Sequence, residues 1–100
     1  MTIEELDDYV WERLPRVRRA MAGRAAVSRI VRLAVSEWQS GTVHAESLTR
    51  AVERKYGMGI FLSIILSALI SEAVKILVRW WLERRENGEY MVRMVAGLHK

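Results

Sequence analysis

"YGMGIFLSIILSALISEAVKILVRWW", residues 56–81, is the stretch whose reading decides the fold. It is either a membrane span or a helix inside a small bundle. Its uncharged run, Gly57 to Ser71, is 15 residues long. As a helix that run rises about 22 Å, against about 30 Å of bilayer hydrocarbon. A twenty-residue window, Gly59 to Val78, is long enough but takes in Glu72 and Lys75. Its twelve Leu, Ile, Val and Phe residues favour insertion by roughly 4–7 kcal/mol, and the two charges oppose it by roughly 5–7 kcal/mol. Hydropathy alone is balanced.

The distribution of residues decides more. At 100° per residue, Leu62, Leu66, Leu69, Ile70, Ala73, Ile76, Leu77 and Trp80 form one wide apolar face. Ser63, Ser67, Ser71, Lys75 and Arg79 follow one another at i+4 as a narrow polar stripe. Such a pattern suits a helix that neighbours cover on most sides. The membrane alternative, a single pass over about 59–80, rests on two features. Trp80-Trp81 followed by Arg84-Arg85 has the look of an interfacial belt, and the serine row suits a close-packing seam.

Outward from this stretch, apolar residues recur at helical spacing. Thr2 with Glu5 forms a capping box, and Ile3, Leu6, Val10 and Leu14 make an apolar stripe as far as Pro15. Pro15 disfavours helical geometry at Leu14 and sets a turn or kink. A second helix follows, with Ala20, Val27, Ile30, Val31, Ala34, Val35 and Trp38 on one face and Arg18, Arg29 and Arg32 opposite. Gly23 weakens or bends it. "QSGT", residues 39–42, breaks the helix, and Thr42 is placed to cap the next. Ala45, Leu48, Val52 and Tyr56 form the inner face of that third helix, and Gly57 stops it. Asn87-Gly88 ends the fourth, and the tail beyond is read as a further helical turn.

The expectation is one all-α domain over residues 1–100, with helices at about 2–14, 16–38, 43–56 and 59–86 and a tail at 88–100. The long apolar helix 59–85 is expected at the centre of a bundle of about four helices. A chain this short with so apolar a helix is expected to hide its remaining apolar area by self-association.

Charge is segregated. Residues 1–12 hold five acids and no base, and residues 13–32 hold seven arginines and no acid. Such a cationic segment can neutralise phosphates, with Arg18, Arg29 and Arg32 as the candidate contacts. The helix, turn and helix around "QSGT" loosely resemble a helix-turn-helix. The plainer reading folds the acidic first helix back at Pro15, pairing Asp7, Asp8 and Glu12 with Arg16, Arg18 or Arg19. Glu72 and Lys75, three apart, are read as an ordinary helical ion pair.

Nothing marks catalysis. The two histidines, His44 and His99, belong to no ligand spacing, and without cysteine there is neither a disulfide nor a thiolate metal site. "GMG", residues 57–59, matches no phosphate loop. The sequence therefore points to no enzyme, cofactor or metal. The acidic start, "MTIEELDD", is unlike a secretory signal, so the expected location is the cytoplasm. The leading expectation is a non-enzymatic helical interaction or assembly module whose partner is its own kind or another protein. Trp81 and Trp11 are its candidate contacts, Trp81 because it falls at the border of the apolar face. A nucleic-acid-associated basic protein and a single-pass membrane protein are the alternatives.

Overall fold

Thr2 opens the first helix. Its extended backbone (φ −88°, ψ 167°) lets Oγ1 accept the Glu5 N–H at 3.2 Å, while its hydroxyl donates to Glu5 Oε1 at 3.3 Å. The resulting helix α1 spans Ile3–Arg13. It stops because Leu14, forced extended before Pro15 (φ −70°, ψ 144°), cannot continue it. The structure, a computed structural model, describes residues 2–42, 44–57 and 64–86. Met1, Val43, residues 58–63, over which the long helix is expected to begin, and the tail 87–100 lie outside the described residues.

Helix α2 spans Arg16–Gln39 but is not straight. Gly23 has φ 80° and ψ 164°, a combination essentially reserved for glycine, and it divides the helix into two segments. The break resets the helical phase. Ala20, expected on the buried face with Val27 and Ile30, is exposed, and Arg18, expected outside, turns inward to α4. Beyond the kink, Val27, Ile30, Val31, Ala34 and Val35 are buried as their spacing predicts.

The end of α2 is a Schellman motif. Gly41, at φ 104°, donates to Trp38 O at 3.0 Å, and Thr42 N–H donates to Glu37 O at 3.1 Å. Thr42 thus closes α2 rather than capping α3. Helix α3 spans Ala45–Gly57, with His44 O accepting the Leu48 N–H at 2.8 Å. Helix α4 spans Ile64–Glu86.

The described residues are all-α, a small bundle of four helices. Helices α2 and α4 pack on each other, and each also packs against α1 and α3. Leu6 and Val10 of α1 and Leu14 just after it join Val27, Ile30 and Val31 of α2, Leu48 and Val52 of α3, and Leu69, Ile70, Ala73 and Leu77 of α4 in one buried cluster. Burying each such leucine or valine contributes about 1.5–3 kcal/mol, so all four helices depend on one another. The outer side of α4 carries Lys75 and Arg79, both exposed. Among the described residues, no helix is long and apolar enough to cross a membrane. Any 18-residue stretch of α4 includes Glu72, Lys75 and Arg79.

Candidate interaction surface

Among the described aromatic residues, Trp80 and Trp81 are buried in the core, while Tyr9, Trp11, Trp38 and Tyr56 pack against it partly exposed. Trp80 is buried, with the Tyr9 ring edge-on to it at 6.3 Å and 62°. Trp81 is only 2% exposed and stacks on Trp38, ring centroids 4.3 Å apart and planes 21° apart. The border position expected for Trp81 is therefore corrected. The end of α2 brings Trp38 over that side of α4, and Trp81 sits inside the chain rather than at an exposed edge. The indole Nε1 atoms of Trp80 and Trp81 are buried and find no hydrogen-bond partner among the described residues. Their contribution is packing.

Charge pairing is tertiary. Asp8 pairs with Arg24, and Asp7 Oδ2 lies 3.5 Å from Arg32 Nη1. The acidic helix does fold back on the arginine segment, yet not onto Arg16, Arg18 or Arg19. Arg18 Nε instead donates to Glu72 Oε1 at 3.1 Å, across 54 residues of chain. Glu72 is thereby held by α2 and not by its neighbour Lys75. Arg29 lies over the Tyr56 ring at 4.5 Å, and Arg13 lies over Tyr9 at 3.5 Å. Arg32 also bonds Ser28. Arg18, Arg29 and Arg32, the three candidate phosphate contacts, thus each have a partner within the chain. Between α3 and α4, Ser67 Oγ donates to Glu53 Oε2 at 3.3 Å, and Lys55 pairs with Glu37 of α2.

Trp11 is half-buried and lines an open cleft between α1 and α2 with Arg16, Arg19 and Ala20. Two guanidinium groups face its ring, Arg24 at 5.3 Å and Arg19 at 5.9 Å. Such stacking holds each cation against an apolar floor. Arg16 and Arg19 have no acidic partner among the described residues, and Arg19 Nε is buried without a hydrogen-bond acceptor. Next along the same segment, Val17 is 62% exposed and Met21 52% exposed. Sequence reasoning missed Arg16, Arg19 and Ala20 as a group around Trp11. The one signal that could have found them is Gly23, whose backbone turns residues 16–22 away from the phase of the rest of α2.

A second depression, between α3 and α4, is lined by Glu46, Arg50, Glu53, Ser71 and Lys75, with both signs of charge mixed. Among the described residues, no three acids or histidines gather closely enough to hold a metal ion. No protein-family model, no curated protein and no solved structure matches this chain.

Proposed function

We propose that this chain is a non-enzymatic helical interaction module that binds a second copy of itself or another protein. The observation that carries the reading is the Trp11 cleft. A half-buried tryptophan and two arginines that have no acidic partner among the described residues line one open cleft between α1 and α2. Tryptophan and arginine are the residue types that most often dominate binding energy at protein contacts. Ile64, at 89% exposure, and Leu82, at 50%, add apolar area elsewhere on α4. Sedimentation equilibrium over a wide concentration range tests the reading. A mass above the monomer, or a defined complex with one protein partner, is expected, with Trp11→Ala weakening either. A monomer that captures nothing at any concentration would overturn it.

A nucleic-acid-associated basic protein is the second reading, favoured by Arg16 and Arg19 beside an aromatic ring. Its weakness is that Arg18, Arg29 and Arg32 are already engaged. Titration of duplex nucleic acid at several salt concentrations separates the two. Phosphate contacts give an affinity that falls steeply with salt, and an apolar protein contact does not.

A further inference from the structure

We infer that the face centred on Trp11 docks a second copy of this chain about a twofold axis, the acidic row of each copy lying on Arg16 and Arg19 of the other. The inference rests on the interaction-module reading above and specifies its partner. On α1, Glu4, Asp8 and Glu12 are spaced four apart, so they form one row, and all three are exposed. Trp11, three residues from Asp8 and seven from Glu4, flanks that row. Trp11 also shares the cleft with Arg16, Arg19 and Ala20. Trp11 therefore adjoins both the acidic row of α1 and the cleft arginines Arg16 and Arg19, and Arg24 crosses over its ring to reach Asp8.

A twofold axis through Trp11 exchanges the acidic row and the cleft arginines, so that opposite charges meet twice in one contact. Asp8 is already paired with Arg24, which leaves Glu4 and Glu12 as the acids free to cross. Neither has a basic partner among the described residues. Other occupants fit this face less well. Nucleic acid or an anionic membrane would meet Glu4 and Glu12 beside the arginines. An acidic helix of a different protein would meet the same repulsion. Only a partner carrying both signs matches, and a second copy does so by symmetry.

Charge reversal with complementation tests the proposal. One variant carries Arg16→Glu and Arg19→Glu, and the other carries Glu4→Lys and Glu12→Lys. Each alone is expected to weaken self-association at least about tenfold, because like charges then face each other across the axis. An equimolar mixture is expected to recover the wild-type dimer mass, since the reversed rows match again. Circular dichroism checks that each variant folds, and Arg16→Glu alone repeats the test at an exposed position should the double variant unfold. A wild-type dimer indifferent to both variants would overturn this surface while leaving the interaction module standing. Weakening without recovery in the mixture would overturn the twofold pairing. A wild-type chain that stays monomeric, but binds duplex DNA or anionic vesicles through Arg16 and Arg19, would overturn both the dimer and the self-assembly reading.

Discussion

A glycine inside a straight helix costs about 1 kcal/mol relative to alanine, so a propensity argument would exchange Gly23 for alanine to strengthen α2. The backbone reverses that expectation. At φ 80° and ψ 164° an L side chain is strained whatever surrounds it, and nothing lies within 4 Å of where a Cβ would sit. The cost is conformational and not steric crowding by neighbours. Gly23→Ala should therefore lower stability by about 1–3 kcal/mol, read as a drop in the urea or thermal midpoint. A raised midpoint would mean that α2 prefers to run straight. Straightening would also carry functional weight, because it would rotate Ala20 toward the core and withdraw Arg18 from Glu72. The cleft beside Trp11 exists in its present form because residue 23 has no side chain.

Between elements, the contact of α2 with α4 turns on Trp38 and Trp81. Replacing a buried aromatic by alanine typically costs 3–5 kcal/mol through lost transfer energy and the cavity left behind. Trp81→Ala should lower stability by about that amount, and a double-mutant cycle with Trp38→Ala should give a coupling of about 0.5–1.5 kcal/mol for the stacked pair. Chemical denaturation followed by circular dichroism measures both. A Trp81→Ala protein as stable as wild type would show that the indole is not packed there. The wheel alone could not have given this result. It placed Trp81 about 100° from Trp80, at the edge of the apolar face, but held no information on which neighbour covers that edge. Helix ends were legible where local chemistry sets them: Thr2 with Glu5, Leu14 before Pro15, and Gly41 after Trp38. The apolar spacing of α1, of α2 beyond Gly23 and of Leu48 with Val52 in α3 was legible too, because burial follows the 3.6-residue period. The other misplacements have two further causes. Ala20 and Arg18 were misplaced because a single backbone dihedral pair at Gly23 reset the phase. The ion-pair partners were misassigned because Arg18–Glu72, Asp8–Arg24 and Asp7–Arg32 join different helices, which no within-helix spacing encodes.

At the scale of the whole molecule, part of the segregated charge of the sequence is paired across helices. The chain carries a formal net charge of +4, yet Arg24 and Arg32 are tied to acids of α1 and Arg18 to an acid of α4. Removing residues 1–12 would not expose the arginines cleanly, because it would also strip Leu6 and Val10 from the core. Neutralising the acids in place is the sharper probe. Asp7→Asn with Asp8→Asn keeps side-chain volume, leaves the apolar face of α1 intact and adds two to the net charge. The Asp8–Arg24 pair is exposed and worth about 0–1 kcal/mol, and Asp7, although buried, faces an Arg32 whose side chain is 45% exposed and stays solvated without it, so the fold should survive with little loss of thermal stability. Arg24 and Arg32 would then be free to meet phosphates. Fluorescence anisotropy with a short DNA duplex should show the double variant binding more tightly than wild type at low salt. The plot of log affinity against log salt should steepen by about 0.9 for each newly available phosphate contact. Identical slopes for the two proteins would mean that the acids of α1 do not mask the arginine segment, and the charge arrangement around Trp11 would then need another origin.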